Sequence, residues 1–255
     1  MKTFDRMTPE RLDEILGRFS QIRVAVLGDY FLDKYIEVDP QLAEVSLETG
    51  KTAHQVVGLR HSPGAAGTIV CNLAALGAGR IIAIGMTGDD GEGFELRRDL
   101  QQLGCDIAHL HCDPSRMTPT YLKPRDRSDA SLSGEHSRYD TKNRTATSDA
   151  TQAKILGSLG EVLDGVDALI VLDQVVEADC GVVTAKIREA LAESAESHPQ
   201  VVFWADSRRL IREFNGVIIK PNQFEAVGWE SPPTDAFVEM DRLEAAIRRL
   251  QTKTK

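Results

Sequence analysis

Two carboxylates four residues apart, Asp29 and Asp33, follow directly on the apolar run 22–28. Ligands of open α/β sheets bind beyond the carboxyl ends of the strands. A carboxylate pair there accepts hydrogen bonds from sugar hydroxyls. A lone aspartate in that place caps a turn; the pair, set near a second turn of small residues, points to hydroxyl binding at Asp33. That second turn is 62–78, Ser-Pro-Gly-Ala-Ala-Gly-Thr-Ile-Val-Cys-Asn-Leu-Ala-Ala-Leu-Gly-Ala. It opens on Pro63 and Gly64 with almost no large side chain. A ligand can therefore approach its backbone and the free N–H groups of a helix starting there.

A second group of residues suits phosphate. Lys220-Pro221-Asn222-Gln223-Phe224-Glu225 follows another apolar run. Asn222 and Glu225 have the spacing of a capping box. With equal weight they have the chemistry to hold hydrated magnesium and phosphates. Asp206-Ser207-Arg208-Arg209 ends a strand, where it either faces phosphate or begins a solvated helix. Asp173 ends the preceding strand in the same way. Other signals fail. Gly50-Lys51-Thr52 has Val45 where a phosphate-binding loop needs glycine, and 85–91 lacks the dinucleotide glycine spacing. His109 and His111 have no further metal ligands nearby, and no Gly-x-Ser-x-Gly elbow exists.

The elements that position these residues are strands followed by helices. Thr8-Pro9 reads as the start of a helix with apolar Leu12, Ile15, Leu16 and Phe19. Apolar runs at 22–28, 80–85, 168–172, 201–205 and 217–219 are continuous, as in strands covered on both faces. Helices are expected over 91–103, 179–194, from 222, and over 234–250. The repeated units imply an α/β fold with a mainly parallel sheet flanked by helices. Residues 34–60 and 118–140 break the rhythm. Short strand-like pieces at 35–38, 54–59, 120–123 and 136–139 suggest a small β lid.

Composition narrows the classes further. The chain has 255 residues, 42% hydrophobic and 27% charged, enough for one large core. A net charge of −9 disfavours nucleic acid, which selects basic faces. Four cysteines without a Cys-x-x-Cys pair fit a reduced, cytoplasmic compartment. Residues 1–6 lack the apolar segment of a signal peptide, and no apolar run reaches membrane-spanning length.

In order, Gly28-Asp29-x-x-Leu32-Asp33-x-Tyr35, the 62–78 stretch and Lys220-Pro221-Asn222-x-x-Glu225 resemble the ribokinase-like (PfkB-type) carbohydrate kinases. They are most similar to the kinase domain of the heptose 7-phosphate kinases that feed ADP-heptose synthesis. The resemblance covers nearly the whole chain. It implies phosphoryl transfer from ATP, with Mg2+, to a hydroxyl of a sugar or sugar phosphate. By position, Asp29, Asp33, Gly64, Ala65, Thr68 and Asn72 belong to the sugar site, and Lys123 and Arg138 to the lid and the substrate's edge. Asp173, Asp206, Arg208, Lys220, Asn222 and Glu225 belong to the ATP side, with Glu225 acting on magnesium through water. Lid strands pair between subunits in some members, which implies a homodimer.

The departures are local until the C-terminal part. Ala65 replaces the second glycine of the family's turn, Thr68 replaces its sugar-binding asparagine, and 175–179 carries no lysine or arginine. The family's Gly-Ala-Gly-Asp turn supplies a general base and phosphoryl-stabilising amides; no such sequence occurs in the 255 residues. A base contributes about 10²–10⁴-fold and each such donor about 10²–10³. The expectation is one ribokinase-like domain over 1–255, C-terminally incomplete, with little kinase activity alone and an exposed apolar sheet edge. The alternative is a non-catalytic sugar-binding or regulatory protein derived from a sugar kinase.

Overall fold

A computed structural model describes residues 7–129, 131 and 134–254. The leader reading of residues 1–6, and residues 130, 132 and 133 of the expected lid, lie outside the described residues, as does Lys255. Thr8 accepts a hydrogen bond from the Arg11 amide and Pro9 opens α1 (Pro9–Gly17), as its sequence predicts.

Six strands build the main sheet. They are β1 (Arg23–Gly28), β4 (Arg80–Thr87), β5 (Leu110–Cys112), β8 (Ala168–Asp173), β9 (Val202–Ser207) and β10 (Ile218–Ile219), in the order β10-β9-β8-β1-β4-β5. Every pairing is parallel. The continuous apolar runs are explained by helices on both faces. On one face Leu27, Ile82, Ile84, Leu169 and Val171 pack with α4 (Asp149–Leu163) and α5 (Ala185–Ser197), through Ile155, Leu159, Ile187 and Leu191. On the other, Val24, Val26, Ile81 and Ala83 pack with α2 (Ala66–Ala75) and α3 (Gly91–Gln102), through Val70, Leu96 and Leu100. Each such fully buried aliphatic side chain contributes about 1.5–3 kcal/mol.

The second sheet has the order β3-β2-β6-β7. It comprises β2 (Tyr30–Val45), β3 (Thr52–Ala65), β6 (Thr120–Asp126) and β7 (Tyr139–Thr141). The β2 pairing is antiparallel with β3 and parallel with β6. The sequence predicts four short pieces; the structure has two long strands starting at Tyr30, one residue after β1. Pro63 and Gly64 are correspondingly not a turn. They end β3, paired with Leu32 and Phe31. The helix expected over 179–194 begins later, at Ala185, because 174–184 is drawn into a loop around Asp29. The last helix, α7 (Met240–Lys253), also starts later than its apolar spacing suggests, after the short α6 (Gln223–Val227).

Candidate functional site

The register of the second sheet creates one half of the site. Asp33 and Tyr35 share a face of β2, and their partners on β6 are Tyr121 and Lys123. The Lys123 ammonium accordingly lies 2.6 Å from Asp33 Oδ1 and 3.3 Å from the Tyr35 hydroxyl. Burial pulls the Lys123 pKa down, but the bonds to Asp33 and Tyr35 outweigh it, and the ammonium titrates above its ordinary value. Arg60, opposite Tyr35 on β3, stacks 4.1 Å from that ring, and Arg138 stacks 4.8 Å from the Tyr121 ring. A bidentate pair with Asp140, at 2.7 and 2.9 Å, holds Arg138 there. Lys123 thus pairs with Asp33, and Arg60 and Arg138 stack on the aromatic rings that floor the same face.

Gly64 is needed because of Asp33. A Cβ at position 64 would lie 2.5 Å from Asp33 Oδ2. The carboxylate therefore rests directly on the backbone that leads into α2. Ala65 makes that connection with φ 52° and ψ −116°, a conformation rarely adopted by a residue with a side chain. Thr68 is exposed and its hydroxyl reaches the Pro63 carbonyl at 3.5 Å; Asn72, one turn on, is also exposed.

Asp29 does something other than the sequence suggests. Its carboxylate accepts from the amides of Gln174 (2.8 Å), Val175 (3.0 Å) and Val182 (2.7 Å). The reading of Asp29 as a sugar ligand gives way to that of a clamp on the 174–182 loop. Burial raises its pKa, against the pull of those three amides and of Arg116. Beside it, a pocket behind Phe31 and Tyr121 is lined by Met86, Thr87, Arg116 and Met117. Thr87 Oγ1 and Arg116 Nε are buried there without hydrogen-bond partners among the described residues. Sequence reasoning reached Tyr121 only as part of the stretch 118–123 and missed Arg60, Thr87 and Arg116, whose places depend on strand pairing and leave no local signal.

The other half of the site lies along the carboxyl ends of β8, β9 and β10. Asp173 is buried and accepts from the Ser207 hydroxyl at 2.7 Å; burial, then the neighbouring Asp29 charge, push its pKa up to about 7. Asp206 pairs with Lys220 at 2.6 Å, and the Arg208 side chain is exposed. Asn222 and Glu225 form the capping box. Asn222 Oδ1 accepts from the amides of Phe224 and Glu225, both at 2.9 Å, while Glu225 accepts the Asn222 amide at 2.7 Å. Burial raises the Glu225 pKa, with the Asn222 amide opposing and Asp206 assisting.

The magnesium question turns on this donor set. Among the described residues no cluster of three or more His, Cys, Asp or Glu side chains is arranged to hold a metal. Magnesium does not require such a cluster, because it keeps its waters and needs only one or two carboxylates beside substrate phosphates. Glu225 keeps an unshared lone pair on each oxygen for such a water.

Known proteins resemble this chain in sequence and in fold. The family pattern described as pfkB family carbohydrate kinase matches residues 24–255. The Bifunctional protein HldE of Mesorhizobium japonicum is 28% identical over 247 residues, covering 95% of this chain and 46% of that protein. The protein of the same name from Hyphomonas neptunium is 28% identical over 224 residues, covering 84% and 42%. The chain thus spans under half the length of these curated relatives. Among solved structures, Escherichia coli phosphofructokinase-2 in complex with substrates and products superimposes with a TM-score of 0.63 at 14% identity, covering 91% of this chain and 70% of that one. Arabidopsis thaliana ribokinase complexed with ribose and ATP gives 0.57 at 16%, covering 91% and 69%.

Proposed function

Because the chain belongs to the pfkB family of carbohydrate kinases, we propose that its site brings a sugar or sugar phosphate hydroxyl to the terminal phosphoryl group of ATP. The observation that carries this reading is the Asp33 carboxylate seated against Gly64 and bonded to Lys123, with Arg60 and Arg138 stacked on the neighbouring Tyr35 and Tyr121 rings. A carboxylate accepts from hydroxyls, and cations on the same face suit an acceptor that already bears a phosphate. Asp33 orients the acceptor, Thr68 and Asn72 border it from α2, and the pocket lined by Thr87 and Arg116 takes its far end. Lys220, Asp206, Arg208, Asn222 and Glu225 stand on the nucleotide side with Asp173 beneath them. Bound magnesium would neutralise charge on the transferring phosphoryl group, with Glu225 holding its water shell.

One observation favours a second reading. The 255 residues contain no Gly-Ala-Gly-Asp turn, the element that the resemblance would use for a base and phosphoryl-stabilising amides. These residues alone would then bind the acceptor and transfer phosphate slowly, or serve only as a sugar-binding or regulatory unit. We also propose a homodimer through the second sheet, and a reducing, cytoplasmic setting that fits its free cysteines.

ADP formation with a panel of sugars and sugar phosphates, run beside calorimetric titration of the same compounds, tests both readings. We expect saturable acceptor binding that Asp33→Asn weakens by about tenfold or more, with turnover near background. Fast turnover by the 255 residues would overturn the second reading. Failure of every acceptor to bind would overturn the site itself.

A further inference from the structure

The face of α7 turned toward α6 carries side chains that the reading above leaves unused. Arg242, Ala245, Ala246, Arg249 and Lys253 recur on it at three- and four-residue intervals, and Arg212 faces them across a groove. The cations form a row roughly 16 Å long at the helical rise. They stand out against a chain of net charge −9. Arg212, Arg242 and Arg249 form no ion pair among the described residues; Lys253 has only an exposed contact with Glu213 at 3.2 Å.

Two of these groups are held in place in advance. Arg212 donates to the Ala226 carbonyl at 2.6 Å and more weakly to the Glu225 carbonyl at 3.4 Å. Arg242 lies 4.8 Å from the Trp229 ring, which is itself stacked on Phe224 at 6.1 Å. A guanidinium has five donors, so each keeps several for a ligand. Ala245 and Ala246 leave the floor of the groove open. Unpaired guanidinium groups fixed by carbonyls and rings suit forked recognition of phosphoryl oxygens.

We propose that this groove binds a small anion carrying two or more phosphoryl groups, at a site separate from the kinase cleft. Calorimetric titration of the 255-residue chain with inorganic tripolyphosphate tests this, with EDTA present so that no magnesium complex contributes. We expect saturable binding of one anion per chain. Arg249→Glu should raise Kd by about tenfold or more at unchanged melting temperature. Lys186→Glu, the same charge change at an exposed position on α5, should leave Kd within about twofold. No saturable binding, equal Kd in Arg249→Glu, or binding only to long polyanions such as heparin or RNA would each overturn the proposal. None of these readouts depends on ADP formation, so the groove and the kinase reading fail separately.

Discussion

Ala65 occupies a place where its own side chain works against the backbone. With φ 52° and ψ −116° at the N-cap of α2, it carries strain on the order of 1–3 kcal/mol that glycine would not. Glycine gives back part of that gain through its freer unfolded chain. Ala65→Gly should therefore stabilise the protein by about 1 kcal/mol, read as a higher melting temperature; an unchanged or lower one contradicts the strain. Sequence reading reached this position as an oddity in a turn, and the dihedral angles supply its cost. The pairing of Asp33 with Gly64 was similarly legible, since a carboxylate and a small-residue stretch were both visible. The role of Asp29 was not, because a carboxylate satisfied by loop amides and one open to ligand are spelled by the same residue.

At the scale of elements, the second sheet shows where periodicity misleads. Prolines argue against strands, and β2, β3 and β6 contain Pro40, Pro63 and Pro124. The structure accommodates Pro40 between Asp39 and Glu44, where the β2–β3 register shifts, and Pro63 on β3, an edge strand. The sequence therefore shows only fragments of two long strands. Beyond the cleft, Ile36, Val38, Val56, Pro124 and Tyr139 line a concavity on the opposite face. Val56 is 52% exposed and Tyr139 62%, with Leu59 beside them at 62%. Apolar surface of that kind marks an association site. Light scattering after gel filtration should give twice the 28.0 kDa chain mass, and Val56→Glu with Leu59→Glu should give the monomer. A monomeric parent protein would refute pairing through this face.

Across the whole molecule, stability should carry the signature of the buried acids, Asp173 foremost. Asp173 titrates at about 7 in the folded protein, against about 3.9 in an unfolded chain. Between those values the folded state binds the extra proton, so stability falls as pH rises from about 4 to about 7 and levels off above. Asp173→Asn, which keeps an acceptor for Ser207, removes that loss. Its melting temperature should exceed the parent's by at least about 3 °C at pH 8, with the gap closing toward pH 4. An equal gap at both pH values would place the effect elsewhere than in ionisation. The strand–helix alternation that builds this molecule was plain in the sequence. Strand order was not, and it alone sets Asp173, Asp206 and Lys220 along one edge of the sheet. The edge strand β10 pairs only with β9 among the described residues, and Ile218 is 49% exposed there.

Asp29 also governs how the protein can move. It is the single residue between β1 and β2. Its amide donates to the Leu172 carbonyl, its own carbonyl accepts from Ala66, and its carboxylate takes three further amides. Lys34, a few residues on, is tethered to Glu92 and Glu95 of α3 at 3.2 and 2.9 Å. The root of the second sheet is therefore a fixed axle rather than a hinge. The register irregularities of the ribbon come only after Glu37 and Asp39, so Asp33 stands on the regularly paired, anchored stretch of β2, and its height above the main sheet is set at the root.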